Sequence, residues 1–249
     1  MQSKRRWTRR TRNRLPKLRA DFHSHSHYSR DSVINPRALV DICVRKGVDV
    51  IAVTDHNEIE GAFVIEKLAP PELMVIVGEE VKTAEGEVIG LFLKELVPRG
   101  LSPEDTVRAI HEQGGLAVVP HPFDVFRRSV ITADALERIK HDVDAIEGFN
   151  SRNILARHDA KARALALDTG KPTTLGTDSH SPWELGGALL ELDAFETPQE
   201  LLESLKGGRV VGRRSLPMVH WISTYAKIRW RLGLKPTYAS PPRALVSRP

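Results

Sequence analysis

The stretch DFHSHSHYSRDS, residues 21–32, places three histidines at alternate positions and has an aspartate near each end. Alternate side chains of a strand lie on the same face, so a strand here would project His23 and His25 together. His27 would share that face only if the strand continued. The polar residues that follow predict a loop that carries Asp31. The stretch alone therefore suggests a metal site at the end of a strand.

Outside this stretch, short β-branched runs alternate with helical segments between residues 20 and 215. Three of the helical segments begin with a capping residue followed by Pro, at Asn35, Ser102 and Thr197. Alternating strands and helices favour a parallel sheet or barrel, so the predicted fold class is α/β. The predicted strands are ADFHS, VDVIAVT, LMVIVG, EVIGLFL, GLAVVP, VDAIEGF, PTTLGT, ALLELD and RVVG.

The charges divide the chain into three zones. Residues 1–19 carry nine Lys or Arg and residues 204–249 carry ten, with no Asp or Glu in either segment. The remaining residues hold 18 basic against 32 acidic side chains, a formal net charge of −14. The sequence predicts a basic, disordered tail over residues 1–19, one folded domain over 20–215 and a basic C-terminal tail over 216–249.

Three features bear on the compartment. The longest apolar runs are far shorter than the roughly 20 residues of a membrane span, and the basic N-terminus lacks the apolar stretch of a secretory signal. The single cysteine, Cys43, excludes an intramolecular disulfide. These features predict a cytoplasmic, reducing compartment.

The second basic tail contains VHWISTYAKIRWRLGLK, in which apolar residues recur at near-helical spacing. Lys227, Arg229 and Arg231 lie among them. This pattern predicts an amphipathic helix, which could lie on a membrane surface or dock on the folded domain.

Six predicted strands end in His, Asp, Glu or Asn. In a closed or nearly closed β/α barrel the strand ends converge on one rim, where active sites lie. Imidazoles and carboxylates gathered there need a cation between them, and these ligand types together suit Zn, Mn and Fe. The strand-end residues after the first strand are Asp55, His56, Glu79, Glu80, His121, Asn150, Asp178 and His180.

Five segments occur in the order and context that they have in the PHP family, named for polymerase and histidinol phosphatase domains: DFHSHSHYSRDS, AVTDHNEIEGA, VGEEV, PHPF and LGTDSH. The chain resembles this family over residues 20–192. The resemblance implies a distorted (β/α)7 barrel of the PHP type with two or three divalent metal ions. It also implies metal-dependent hydrolysis of phosphoesters.

The resemblance further implies which residues bind the metals. Glu80 matches a glutamate that bridges two ions, which leaves Glu79 as the spare carboxylate. Asp31 matches an acidic residue, in a segment that is one residue longer here. Many relatives have a histidine where this chain has Glu87, and a carboxylate there favours harder ions such as Mn. The implied ligands are His23, His25, Asp31, His56, Glu80, Glu87, His121, Asp178 and His180.

For the chemistry, a metal-bound hydroxide is expected to attack the phosphorus of the substrate. Asp55 would orient His56 or a bound water, or bind a metal itself. Either Asp55, His180 or a bound water could protonate the leaving oxygen, so the candidate catalytic residues are Asp55, His180 and Glu80. Guanidinium groups suit phosphate, and Arg127 also follows a strand end. The candidate substrate-binding residues are Arg128, Asn150 and Arg152.

Three functions follow from these residues. The first is a phosphatase that acts on a small phosphomonoester or a nucleotide. The alternative is an exonuclease or nucleic-acid-binding protein that uses the basic tails, because Lys and Arg neutralise nucleic-acid phosphates. The third is a metal-binding regulatory domain without turnover, which the near-complete ligand set disfavours. No obligate protein partner can be inferred from the sequence.

Overall fold

The structure, a computed structural model, describes residues 17–216 and 218–234. Residues 1–16 of the predicted N-terminal tail, and residues 217 and 235–249 of the predicted C-terminal tail, lie outside these residues. The first strand begins at Leu18, inside the segment predicted as the N-terminal tail. The nine strands of the described residues are β1 (Leu18–Ser24), β2 (Val50–Val53), β3 (Met74–Thr83), β4 (Gly86–Leu91), β5 (Leu116–Val119), β6 (Ala145–Asn150), β7 (Thr173–Gly176), β8 (Ala188–Leu192) and β9 (Arg209–Gly212). The seven helices of the same residues are α1 (Pro36–Lys46), α2 (Glu60–Leu68), α3 (Pro103–Glu112), α4 (Ala133–Ile139), α5 (Ala156–Thr169), α6 (Pro198–Leu205) and α7 (Val219–Arg231).

Three helices begin at the capping residues that the sequence predicts. The Asn35 side chain accepts hydrogen bonds from the first backbone N–H groups of α1, and Gly47 ends that helix with a φ of 65°. The hydroxyls of Ser102 and Thr197 accept the corresponding bonds in α3 and α6. A side chain at these positions satisfies backbone N–H groups that have no partner within the helix.

The strands form one sheet in the order β7-β6-β5-β4-β3-β2-β1-β8-β9. Pairs within β1–β2–β3 and within β5–β6–β7 are parallel, as alternating strands and helices predict. Strand β4 is antiparallel to both of its neighbours. Only residues 84 and 85 separate β3 from β4, and a connection that short makes a hairpin rather than a parallel crossover. The α/β class is confirmed, with β4 reversed inside the sheet and β8 antiparallel to both β1 and β9 at its other end.

Contacts between β1 and the end of β7 nearly close the sheet into a barrel. The Asp178 N–H donates to the His23 carbonyl at 2.7 Å, and the His25 N–H donates to the Ser179 carbonyl at 3.0 Å. The buried carboxylate of Asp21 adds to this closure by accepting hydrogen bonds from the backbone N–H and the hydroxyl of Thr177. Seven strands therefore bring their ends to a common rim, while β8 and β9 extend the sheet beyond β1.

Apolar side chains fill both faces of the sheet. In β2, Val50 and Ala52 pack in a cluster with Ile76, whereas Ile51 and Val53 pack in a second cluster that includes residues of α1, α2 and α3. All four β2 residues are buried, as expected of a strand that is covered on both faces. The same alternation in β3 directs successive side chains to opposite faces, so the side chains of Glu79 and Glu80 lie on different faces of the sheet.

Cys43 should report unfolding of the barrel, because its side chain is fully buried in α1. Burial raises the pKa of the Cys43 thiol to about 12, and the nearby Asp21 carboxylate acts in the same direction. Since the thiolate is the reactive form, roughly one thiol in ten thousand would be ionised at pH 8. We expect a disulfide reagent such as DTNB to label Cys43 only in denaturant. Rapid labelling of the native protein at pH 8 would contradict this burial.

Candidate metal centre

Eight of the nine predicted metal ligands come together at the rim of the barrel. They form overlapping groups of three, in which one potential ligand atom of each residue lies within 4.8 Å of the others. The groups found among the described residues are His25–His56–His180, His23–His25–Asp178, His23–Glu80–His121 and His56–Glu80–Glu87. The side chains come from β1, β3 and β4 and from the segments that follow β1, β2, β5 and β7.

Glu80 lies at the centre of this cluster. Its Oε2 atom lies 3.3 Å from Nε2 of both His23 and His25 and 3.1 Å from Nδ1 of His56. Its Oε1 atom lies 3.1 Å from His121 Nε2. A carboxylate whose two oxygens face different imidazoles has the arrangement needed to bridge two ions.

Asp178 and His180 form another side of the cluster. The Oδ1 atom of Asp178 lies 3.4 Å from His25 Nε2 and 3.4 Å from His180 Nδ1, yet it accepts no hydrogen bond. The backbone of Asp178 has a φ of 52° and that of His121 a φ of 29°. Positive φ values cost energy in residues other than glycine, and they concentrate at functional sites where the surrounding structure enforces them.

The ninth predicted ligand, Asp31, lies at the edge of the cluster. Its Oδ2 atom lies 3.5 Å from His56 Nε2, and its Oδ1 atom lies 3.4 Å from His180 Nε2. The Oδ1 atom is buried and has no hydrogen-bond partner. Asp31 therefore faces two candidate ligands without belonging to one of the tight groups of three.

Charges of opposite sign compensate each other in this buried cluster. Burial would raise the pKa of the Glu80 carboxyl, but His56 and His23 hold it well below its ordinary value. Burial would lower the pKa of His23, but the carboxylates of Glu80 and Asp178 raise it well above its ordinary value. For His180 burial prevails and lowers the pKa to about 3, despite the nearby Asp31.

These residues fit divalent metal ions. Buried polar atoms normally have hydrogen-bond partners, but Asp31 Oδ1, Asp178 Oδ1 and His121 Nδ1 have none. Two of these atoms are carboxylate oxygens that point toward imidazole nitrogens of the cluster. Imidazole and carboxylate donors in this proportion suit Zn, Mn and Fe.

Glu147 of β6 is a functional residue that the sequence reasoning did not identify. Its Oε1 atom lies 2.9 Å from His23 Nδ1, and its Oε2 atom accepts hydrogen bonds from the His121 backbone N–H and the Asn150 side chain. A carboxylate on the outer nitrogen of a ligating histidine fixes the orientation of its ring. The close approach requires Gly176, because a Cβ there would lie 2.1 Å from Glu147 Oε1. A charged residue inside the apolar run VDAIEGF was the available signal.

Asp55, a predicted catalytic residue, is fully buried behind the cluster. Its carboxylate accepts hydrogen bonds from the backbone N–H and hydroxyl groups of both Ser26 and Ser29. The Ser29 hydroxyl lies 3.2 Å from His25 Nδ1 and accepts from the His56 backbone N–H. Asp55 thus holds the loop that positions two candidate ligands, and both of its oxygens are occupied in doing so.

The arginine that the structure brings to the cluster is Arg127, and not the predicted Arg128, which is exposed. Arg127 Nη2 lies 2.5 Å from Asp178 Oδ2, and its Nε donates to Asp124 at 2.9 Å. Asp124 follows the PHPF segment and accepts hydrogen bonds from within its own loop, which directs Arg127 inward. Adjacent arginines in a loop cannot be distinguished from sequence alone.

The two other predicted substrate-binding residues are occupied by contacts within the protein. Asn150 donates to Glu147 and Asp178, and its oxygen accepts the Arg152 backbone N–H. The buried Arg152 guanidinium lies 2.8 Å from His180 Nδ1 and 3.1 Å from Glu184 Oε1. Both residues therefore support candidate ligands in this structure.

His27 stands apart from the cluster despite its place in the opening motif. Its ring stacks on Tyr28, with the ring centroids 4.7 Å apart. Burial lowers the pKa of His27 to about 4. It belongs to none of the ligand groups of the described residues, so the alternation of the motif ends at His25.

Comparison with known proteins identifies relatives of this chain. The model of the PHP domain matches residues 21–166, and that of the PHP-associated region matches residues 156–210. The uncharacterized protein MJ0417 of Methanocaldococcus jannaschii is 34% identical over 201 residues, which are 76% of this chain and 79% of that protein. MJ1587 of the same organism is 41% identical over 145 residues, 54% of this chain and 82% of that protein.

A solved structure shows the same fold. It is a two-domain protein from Bacteroides vulgatus that contains a predicted PHP-like metal-dependent phosphoesterase, and its TM-score to this chain is 0.65. The match covers 83% of this chain and 70% of that one at 20% identity. The barrel of the PHP type that the sequence predicts is therefore confirmed.

The adjacent residues Glu79 and Glu80 offer a matched test of the centre. Both are buried, but Glu79 points to the other face of β3, where it accepts the Val97 N–H at 2.9 Å. We expect Glu80→Gln to lower the metal content of the purified protein strongly, since a neutral amide binds divalent cations less strongly than a carboxylate. Glu79→Gln should keep the metal content of the parent. Equal metal loss in both variants, measured by elemental analysis, would contradict the assignment.

Glu147→Ala tests the support behind His23. Removing a carboxylate that orients a ligating histidine typically weakens metal affinity by about 10–100-fold. We expect a loss of that size, measured by competition with a chromophoric chelator. Glu191→Ala, at a partly exposed carboxylate that pairs with Arg209, is the control. Unchanged affinity in Glu147→Ala would show that the contact does not support metal binding.

Proposed function

The chain belongs to the PHP domain family, and we propose that it is a metal-dependent phosphoesterase that hydrolyses a small phosphomonoester or a nucleotide. One observation carries the proposal: five imidazoles and three carboxylates direct their ligand atoms into one buried cluster at the rim of the barrel. The Bacteroides vulgatus protein, described as containing a predicted PHP-like metal-dependent phosphoesterase, supports the same reaction class.

The cluster is open on one side. The His56 side chain is 26% exposed, whereas every other predicted ligand is 9% exposed or less. A substrate would therefore reach the site past His56, with Asp31 and Glu87 beside it. The deeply buried His23, His25, His121 and Asp178 would hold ions and would not contact the body of the substrate.

Two or three divalent ions would, when bound, neutralise charge on the phosphoryl oxygens and lower the pKa of a water molecule. The protein residues would hold these ions in place and exclude bulk water. Glu80 would hold these ions through its two carboxylate oxygens, and Arg127 would hold Asp178 in orientation. Because phosphoryl transfer depends mainly on positioning and charge stabilisation, this division of roles suits it.

His180 fits the role of a neutral ligand better than that of an acid catalyst. Burial lowers its pKa to about 3, and the Arg152 guanidinium also disfavours the imidazolium form. A neutral imidazole has no acidic proton to give to a leaving oxygen near pH 7. Asp55 does not fit the role of acid catalyst either, because its oxygens accept hydrogen bonds from Ser26 and Ser29. We propose that His180 binds metal and that Asp55 positions His25 through Ser29.

The group around Glu87 differs from the others in its donors. It combines one imidazole, His56, with the two carboxylates of Glu80 and Glu87, whereas the remaining groups contain at least two imidazoles. Oxygen-rich sites favour harder ions, and nitrogen-rich sites suit Zn or Fe. We propose that an ion held by Glu87 is Mn rather than Zn.

The alternative of a nucleic-acid enzyme rests on the basic tails, most of which lie outside the described residues, and it stays a prediction. In the part of the chain that the structure describes, no helix is long and apolar enough to cross a membrane. The cytoplasmic compartment likewise remains a prediction from the single cysteine. The complete cluster of ligands argues against a regulatory domain without turnover.

Asp178→Asn and His25→Ala test the reaction. Metal ions contribute several kcal/mol to such reactions, so losing one ligand should lower kcat/KM for p-nitrophenyl phosphate by roughly two to three orders of magnitude. His111→Ala is the control, because His111 pairs with Asp144 outside the ligand groups. If both ligand variants turned over like the parent, the cluster would not be the active site.

A phosphate-release screen tests the substrate class. It should include nucleotides, 3′,5′-bisphosphates, sugar phosphates, histidinol phosphate and short oligonucleotides. We expect release from one or more of the small monoesters. Turnover of oligonucleotides alone, with a steep dependence on salt, would favour the nucleic-acid alternative.

A further inference from the structure

Helix α7 lies outside both segments that match the family models, yet it is attached directly beside the metal cluster. The Arg152 guanidinium donates to the Val219 carbonyl at 3.1 Å and to the Ser223 hydroxyl at 2.8 Å. Its other terminal nitrogen lies 2.8 Å from His180 Nδ1. One buried side chain therefore joins the start of α7 to a candidate metal ligand.

The far end of α7 contacts the loop that follows β1. The Arg30 guanidinium lies over the Trp230 ring, 5.8 Å from its centroid. Val219, Ser223 and Ala226 are buried against the domain. Because both ends of the helix are held in this way, the side chains between them have defined positions relative to the rim.

Lys227 lies between these two attachments and reaches the cluster. Its Nζ atom lies 3.2 Å from Asp31 Oδ2. That oxygen faces His56, the ligand through which the site opens to solvent. The Lys227 side chain is 58% exposed, so its ammonium stands at the entrance rather than within the metal cluster.

We propose that Lys227 is a substrate-binding residue whose ammonium group pairs with the phosphoryl oxygens of the incoming substrate, an inference that rests on the proposed phosphoesterase function. Beside His56 lie the carboxylates of Asp31 and Glu87, which repel a phosphate dianion. A cation there lowers that repulsion and offers charge-assisted hydrogen bonds.

The ion pair with Asp31 is not by itself a structural reason for a lysine at position 227. Only the Lys227 end of this ion pair is exposed, and α7 is also held by Arg152 and by the Arg30–Trp230 contact, so the pair is not needed to hold the helix in place. The pair also leaves Asp31 Oδ1, which faces His180, available to a metal ion. A lysine carries a compact charge on a flexible stem and can turn from Asp31 to a phosphate at small cost.

The test compares Lys227→Met and Lys227→Gln, which remove the charge, with Lys227→Arg, which keeps it. Arg231→Met removes a charge from the exposed end of the same helix and is the control. Binding of inorganic phosphate to the metal-loaded proteins is measured by calorimetry, together with metal content and with kcat and KM for p-nitrophenyl phosphate.

Removing the charge should raise both the Kd for phosphate and the KM by roughly tenfold or more, the effect of one lost charge-assisted hydrogen bond. We expect kcat and metal content to change less than about threefold. Lys227→Arg should recover most of the affinity, and Arg231→Met should match the parent.

Parental Kd and KM in Lys227→Met and Lys227→Gln would overturn the inference while leaving the phosphoesterase assignment intact. Loss of metal or of kcat with an unchanged KM would also overturn it, because that pattern belongs to a residue that only supports Asp31. A parent protein that neither binds phosphate nor hydrolyses any ester would refute the proposed function and this inference together.

Discussion

The contact on which the site depends is that between the Glu80 carboxylate and four imidazoles from three segments of the chain. Removing charged groups from water costs several kcal/mol for each ion unless charges of opposite sign and hydrogen bonds compensate. Apart from Asp178 and His180, which face each other in the segment after β7, the members of the cluster are compensated by groups from other strands. Each one needs partners from other strand ends, so the site exists only when the barrel is nearly closed.

Three buried carboxylates outside the ligand groups hold β1 in register with its neighbours, and so hold its two histidines in position. Asp21 joins β1 to Thr177 after β7, Glu147 joins it to β6 through His23, and Asp55 joins the loop after β1 to the end of β2. The β1–β2 register shifts between Asp21 and Ser24, at the residues where the paired histidines begin. The irregular end of β1 is thus fixed from three sides, which is what a site with narrow geometric tolerance requires.

A structural feature of this chain can be predicted from the sequence when the residues that determine it are close together along the chain. Caps such as Asn35 and the β-branched runs act within a few residues, and the helices and strands follow them. The role of Glu147 depends on His23, 124 residues away, and its charge within an apolar run does not identify that partner. Arg127 differs from Arg128 through its contacts with Asp124 and with the distant Asp178, which the local sequence does not show. Long-range pairing, and not secondary structure, limits the prediction of the site.

The metal cluster and its entrance have different roles: the cluster determines the reaction class, and the entrance is expected to determine the substrate. The buried ligands lie within the two segments that match the PHP domain and the PHP-associated region, and their chemistry restricts the reaction class. The entrance is built differently, from the loop that carries Arg30 and Asp31 and from α7, which lies beyond the matched segments. Residues at an entrance can change without disturbing buried charges. Substrate preference in this chain is therefore expected to depend on Lys227 and its neighbours more than on the metal ligands themselves.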